Sequence, residues 1–199
     1  CAYASLGPSV VETALEHVTG AYRIPNVRSR GRLAYTNNGF GAAFRGFGCN
    51  EMLFAVESQI GRLAEKAGLD PVTFRARHLR QPGDIGYLGQ VVAPSDRGRE
   101  TLAAAAASDL WARERGVSSD GRKIVGVGLA IALQGSGLGS AIGDTGAGRL
   151  TLAADGKIEA AFGAEEIGQG VLALIQESVA RVLGCERDDV RPVIGDIAR

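Results

Sequence analysis

The stretch Ala42-Ala43-Phe44-Arg45-Gly46-Phe47-Gly48 lies between a polar turn, Thr36-Asn37-Asn38-Gly39, and a long periodic apolar run that opens near Asn50. Two glycines alternate with an arginine and a phenylalanine, so the backbone can come close to another group. Arg45 offers a planar five-donor fork for an anion or an oxo group, and Phe47 offers a flat face. The first amides of the following helix are expected to point back to the same place, where a helix N-terminus favours an anion. These features outline a site for a phosphate- or oxo-bearing ligand beside a planar molecule. The same residues also fit a plain turn whose phenylalanines fill core and whose arginine is solvated. Short glycine patterns recur by chance, so on residues alone the turn is the simpler account.

Downstream, Leu53, Val56, Ile60, Leu63, Ala64 and Ala67 recur at three- and four-residue spacing and predict a helix with one apolar face. Asn50 is its expected cap and Gly68 its stop. Asp70-Pro71 then reads as N-cap and first-turn proline of a second helix carrying Val72, Phe74, Arg75 and Leu79. Arg62, Arg75, Arg77 and Arg80 are expected outside or at helix ends. Upstream, Ser9 to Val18 predicts a helix, Tyr22 to Val27 an extended segment and Gly31 to Tyr35 a short strand. Residues 81–98, with Pro82, Gly83, Gly86, Gly89 and Pro94, read as a connector. Glu100 to Arg115 reads as one Ala-rich helix, since Ala loses no side-chain entropy there.

From Lys123 the pattern changes. Ile124 to Leu133 predicts a strand, and Arg149 to Ala153 and Lys157 to Phe162 predict a hairpin about Ala154-Asp155-Gly156. Gln134-Gly135-Ser136-Gly137-Leu138-Gly139-Ser140 reads as a loop. A second glycine loop, Glu165-Glu166-Ile167-Gly168-Gln169-Gly170, leads into a helix with Leu172, Ile175, Val179, Val182 and Leu183 on one side. Gln169, between two glycines, can donate and accept at once. Glu165 and Glu166 are sequence neighbours in an extended segment and point to opposite faces, which argues against an acid/base pair and for a solvated loop. Val190 to Ile194 predicts a last strand. The fold class is therefore α+β: a helix-rich first part, then a small sheet with a packed helix. Two domains are expected, at 1–98 and 99–199.

Composition excludes several functions. Of 199 residues, 22 are Lys or Arg and 22 are Asp or Glu, so the formal charge is zero and a nucleic-acid or anionic-membrane partner is not expected. No apolar run reaches the ~18 residues of a membrane span, and no signal peptide is visible. Cys1, Cys49 and Cys185 are far apart and form no CxxC or Cys/His spacing, so no zinc, iron–sulfur or disulfide framework is expected. Three is odd, and a reducing, cytoplasmic setting is the simplest account. His17 and His78 have no partner at ligand spacing and read as surface or satisfied core residues. The 29 glycines stand beside 45% hydrophobic residues, the mark of a folded chain rich in tight turns. The first residue is Cys, not Met, so a piece of a longer polypeptide is expected.

Taken in order, Thr36-Asn37, Ala43-Phe44-Arg45-Gly46-Phe47-Gly48, the helix with Glu57, Gly68-Leu69-Asp70-Pro71-Val72-Thr73-Phe74-Arg75, Glu166-Ile167-Gly168-Gln169-Gly170 and Gly195-Asp196 resemble the molybdopterin-binding large subunit of the xanthine dehydrogenase and aldehyde oxidase family. The ordered set runs from about Tyr22 to Asp196. The resemblance implies a chain spanning the junction of two molybdopterin-binding lobes, with the molybdenum held by the pterin dithiolene and not by side chains. It implies Arg45 near the oxo ligands, Gly46 permitting close approach, Phe47 on a planar substrate, and Gln169, between Gly168 and Gly170, bonded to the cofactor. It implies hydroxylation of an N-heterocycle or aldehyde by water, with electrons leaving through iron–sulfur and FAD partners. Several positions depart from the family pattern. Cys49-Asn50-Glu51 replaces a Gly/Ala-Pro-Gln run, and Ile197 replaces a threonine. The family's Gly-x-Gly-Glu base segment is not in this sequence, so catalysis by this chain alone is not expected. A non-catalytic paralogue or subunit-interaction module with the same fold is the alternative.

Overall fold

The computed structural model describes residues 6–39, 44–113, 115–118, 120–135 and 145–196. Ala42, Ala43, most of the Gln134–Ser140 loop and Ile197 lie outside them. The chain divides into two units, residues 1–136 and 137–199.

The first unit is helical. α1 spans Gly7–Glu16, α2 Cys49–Lys66 and α3 Pro71–His78. α2 carries the predicted stripe, burying Leu53, Ile60 and Ala64. Its start differs from expectation: Gly48, not Asn50, is the N-cap, in a left-handed conformation. Asn50 instead turns back and donates its Nδ2 to the Arg45 carbonyl at 2.7 Å. α3 begins as its sequence predicts, with the Asp70 carboxylate accepting the Thr73 N–H at 2.8 Å. The segment predicted as extended around Tyr22 is tied to the end of α3. Arg23 N–H donates to the His78 carbonyl at 2.9 Å, and Arg80 N–H donates to the Ala21 carbonyl at 3.0 Å.

Arg75 is not outside. It is 3% exposed, in line with Glu57 at 8% and Tyr22 at 4%. Its Nε and Nη2 both lie 2.9 Å from Glu57 Oε2, and Nη1 donates to the Pro71 carbonyl at 3.2 Å. The Tyr22 hydroxyl donates to the other Glu57 oxygen. A long cation is buried because an acid 18 residues upstream meets it across the α2–α3 corner. Burial first, then the Glu57 carboxylate, pushes the Tyr22 phenol well above its usual range. Arg80 also leaves the surface in part, holding Asp96 with Nε at 3.0 Å and Nη2 at 2.9 Å. The apolar core around these pairs is Ala21, Tyr22, Ile60, Leu79 and Leu102.

Other expectations change. Gly31 to Tyr35 forms no strand. The Ala-rich helix breaks in two, α4 at Gly98–Ala106 and α5 at Asp109–Ala112, because Ser108 leaves helical space and its side chain accepts the Trp111 N–H. β1, Gly116–Val117, pairs antiparallel with β2, Ile124–Val125. Beyond Val125 the predicted strand has no ladder partner among the described residues. It keeps the strand alternation: Leu129, Ile131 and Leu133 lie on the first core while Gly128, Ala130 and Ala132 face out. Two contacts pin it. Cys49 Sγ donates to the Leu133 carbonyl at 3.2 Å, and the Gly135 N–H donates to His17 Nε2 at 3.2 Å. His17 is therefore a satisfied core residue, with its ring proton on Nδ1 directed at the Thr13 carbonyl 2.7 Å away.

The second unit is a three-stranded sheet, ordered β3 (Gly148–Leu152), β4 (Ile158–Phe162), β5 (Val190–Ile194). β3 and β4 form the predicted hairpin. β4 and β5 are parallel, joined through α6, Val171–Leu183, which packs Ile175, Val179 and Ala180 on Ala160 and Val190. The fold is thus α+β.

Two outcomes are expected from this packing. Arg75→Ala strands the Glu57 charge and should cost about 3–5 kcal/mol in chemical unfolding, whereas the apolar pair Glu57→Leu with Arg75→Met should cost less than the single change. An equal or larger loss for the double variant contradicts a paired buried charge. Gly48→Ala should lower the unfolding midpoint, since its φ is 92° and a Cβ would sit 2.2 Å from the Val10 carbonyl oxygen. The left-handed conformation alone costs roughly 1–2 kcal/mol for an L-residue.

Candidate functional site

Two groups of residues singled out from the sequence are found in separate units. In the first unit, Phe44 to Gly48 forms a tight turn. The Phe47 N–H donates to the Phe44 carbonyl at 2.7 Å, and the Cys49 N–H donates to the Gly46 carbonyl at 2.9 Å. Gly46, Phe47 and Gly48 have consecutive φ values of 102°, 55° and 92°. Among the described residues Phe47 is the sole non-glycine with positive φ. Such a conformation persists only where the surroundings impose it, and it is concentrated at ligand sites. The turn leaves Arg45 exposed and Phe47 half-buried. The space beside Gly46 is already filled: a Cβ there would meet the Asn50 side chain at 2.3 Å. With φ at 102°, the turn's own backbone favours glycine here.

In the second unit, the loop from β4 to α6 carries Gly168, Gln169 and Gly170, with φ of 94° at Gly168 and 81° at Gly170. Gln169 is braced at both ends of its amide. Its Oε1 accepts the Ile167 N–H at 2.7 Å, and its Nε2 donates to the Glu165 carbonyl at 2.6 Å. A primary amide has two N–H groups and two lone pairs on oxygen, so one of each remains for a ligand, and Gln169 is exposed. A Cβ at Gly170 would meet nothing within 4 Å, so this side of the loop is open to an approaching group.

Glu166 lies half-exposed on the loop, and its carboxylate is engaged by the loop's own amides. Its Oε1 accepts the Gly168 N–H at 2.7 Å and the Gly170 N–H at 3.1 Å, and its Oε2 faces the Leu172 N–H at 3.4 Å. The Gly170 amide first, with those of Gly168 and Leu172, holds its carboxyl below the usual carboxylate range. The anion position at the start of α6 is thus taken by the chain's own carboxylate. Sequence reasoning missed this because Glu166 stands four residues before the cap position, outside the usual capping spacing.

Beside this loop lies a cleft of about 580 Å³, lined by Gly148, Arg149, Phe162, Glu165, Gly195 and Asp196 among others. It opens at the carboxyl ends of the parallel strands β4 and β5, the edge where open α/β sheets bind ligands, and its size suits a small organic molecule. Phe162 lies over Gly148 on the facing strand, where a Cβ would be 2.4 Å from the ring. The glycine therefore lets the aromatic face form one wall. Phe162 and Arg149 were not foreseen as site residues; the pairing of a glycine with an aromatic across a hairpin was the available signal.

Among the described residues no three His, Cys, Asp or Glu side chains are grouped to hold a metal ion. The first turn presents the Arg45 guanidinium and the Phe47 ring, and the second loop presents the Gln169 side-chain amide; each, taken by itself, suits a polar ligand with hydrogen-bonding or oxo groups.

Comparison with known proteins supplies the family. Two family profiles, each described as a molybdopterin cofactor-binding domain, match residues 1–79 and 102–199. A protein of Bacillus subtilis described as a probable subunit of xanthine dehydrogenase is 43% identical over 198 residues, all of this chain and 26% of that protein. The nicotinate dehydrogenase large molybdopterin subunit of Eubacterium barkeri is 42% identical over 101 residues, 51% of this chain and 24% of that protein. The crystal structure of the aldehyde oxidoreductase from Desulfovibrio desulfuricans superposes with a TM-score of 0.66 at 26% identity, covering 95% of this chain and 21% of that one. The chain thus spans about a quarter of the length of the curated relatives it matches. With both of its halves matched, the chain belongs to the molybdopterin cofactor-binding family of xanthine dehydrogenase and aldehyde oxidoreductase large subunits.

Proposed function

We propose that this chain is part of a xanthine dehydrogenase-like molybdenum hydroxylase acting on N-heterocycles or aldehydes, with water as the oxygen source. The observation that carries the reading is Gln169. It is held at both ends of its amide between two left-handed glycines, on the loop whose Glu165 lines a cleft at the carboxyl ends of β4 and β5, in a matched cofactor-binding domain. When bound, molybdopterin supplies a molybdenum centre that takes up the electron pair from the substrate carbon.

The chain's own residues hold and orient. Gln169 offers its remaining N–H and lone pair to the cofactor, and Gly168 and Gly170 keep Cβ atoms out of its way. Arg45, carried outward by the strained turn at Gly46, offers its fork to oxo groups. Phe47 gives a flat surface to a planar substrate. Electrons then pass to iron–sulfur and FAD domains or subunits of the parent enzyme, in the cytoplasm. The general base belongs to a segment that this sequence does not contain, so the chain alone does not turn over. We put the change of lobe in the connector before Arg99, a reading supported by family matches that end at residue 79 and begin again at residue 102. The first unit extends further, to residue 136, because Leu102 is buried in its core.

The test is molybdenum and pterin content of the full-length protein, produced where the cofactor is made. About one of each per subunit is expected. Gln169→Ala and Arg45→Ala should each lower retention about tenfold or more, the worth of one hydrogen bond to a charged group. A full-length protein that holds no molybdopterin would overturn the reading in favour of a non-catalytic paralogue or interaction module.

A further inference from the structure

The α6 N-terminus presents an arrangement that the proposed chemistry does not use. A glycine-rich loop entering a helix ordinarily offers its amides to an outside anion. Here those of Gly168, Gly170 and Leu172 converge on one carboxylate, at 2.7, 3.1 and 3.4 Å, and that carboxylate belongs to Glu166. The same stretch, residues 165–172, contains both braces on Gln169, from Ile167 N–H and to the Glu165 carbonyl. The two sets interlock. The carboxylate fixes the backbone on both sides of Gln169, and the side chain of Gln169 fixes the backbone on both sides of Glu166. Neither glycine could hold its left-handed conformation by local preference alone, since glycine has the most backbone freedom to lose.

We propose that Glu166 is a positioning residue: its carboxylate serves as a built-in anion that closes the start of α6 and sets the Gln169 amide toward the cofactor. This rests on the reading that Gln169 faces the cofactor. It has a chemical consequence. With the positive end of the helix already matched, the loop recognises its ligand through a neutral donor–acceptor amide. An anionic group of the ligand gains nothing from α6 unless Glu166 is removed.

The experiment uses the full-length enzyme with Glu166→Ala, Glu166→Gln, Gln169→Ala and the Glu166→Ala/Gln169→Ala pair. Molybdenum per subunit is measured, together with amide hydrogen exchange across residues 165–172 of cofactor-free protein. Glu166→Ala should speed exchange in that segment about tenfold, as expected when charge-assisted hydrogen bonds are lost, and should lower molybdenum to the Gln169→Ala level. The pair should be no worse than either single change, because both act through one group. Added formate should slow exchange again in Glu166→Ala, by entering the vacated position, and should leave the wild type unchanged. Glu166→Gln keeps the shape and one acceptor oxygen and should fall between. It carries the test if the alanine variant does not fold. Losses that add in the pair, or Glu166 variants that keep full molybdenum while Gln169→Ala loses it, overturn the positioning role and leave the functional reading intact. A Gln169→Ala enzyme with full molybdenum overturns both.

Discussion

The buried pair of Glu57 and Arg75, closed by the Tyr22 hydroxyl, is the constraint on which the first unit depends. Taking two charges from water costs several kcal/mol each, recovered only where geometry is good and remaining donors are satisfied. Here Arg75 spends its fork on the Glu57 carboxylate and on the Pro71 carbonyl, and Glu57 spends its second oxygen on Tyr22. The network fixes three elements at once: α2, α3 and the extended segment before the polar turn. An apolar core of similar volume would hold them together without fixing their relative register. The turn at Phe44 to Gly48 is attached to the first residue of α2, so this network also sets where Arg45 and Phe47 are presented.

The second unit solves a different problem with the same economy. A βαβ unit needs a loop that leaves β4 and turns sharply into α6. Two left-handed glycines make that turn possible, and the Glu166 carboxylate makes it single-valued. Each of these two glycine turns is braced by an internal partner, Asn50 in one and Glu166 in the other. Pre-organisation of this kind lets a site bind without losing conformational freedom at the moment of binding.

Much of this was legible in the sequence, and the failures share a cause. The helices α2 and α6 were read from spacing, although Leu63 and Val182 of their expected apolar faces are exposed, and the Asp70-Pro71 start of α3 was read from its cap. The hairpin β3–β4 followed from alternation about a turn. What failed needed a partner distant in sequence. Arg75 looked like a surface cation because Glu57 lies on the preceding helix, 18 residues away. Ile124 to Leu133 has strand alternation, but periodicity reports a buried face and not a ladder partner. The break at Ser108 and the shift of the α2 cap to Gly48 were local competitions that periodicity does not resolve. For ligand contacts, residue types pointed to Gln169 and Arg45, and the family resemblance supplied the roles proposed for them. The part of Glu166 was invisible because its hydrogen bonds exist only once both glycines are left-handed.

The central claim is that Gln169 faces a molybdenum-bearing cofactor. The most direct measurement is an anomalous difference map of the full-length protein, collected on both sides of the molybdenum absorption edge. The account predicts one strong molybdenum peak per subunit, with the Gln169 amide among the protein groups nearest to the cofactor. A peak lying away from Gln169, or no peak in protein produced where the cofactor is made, would contradict it.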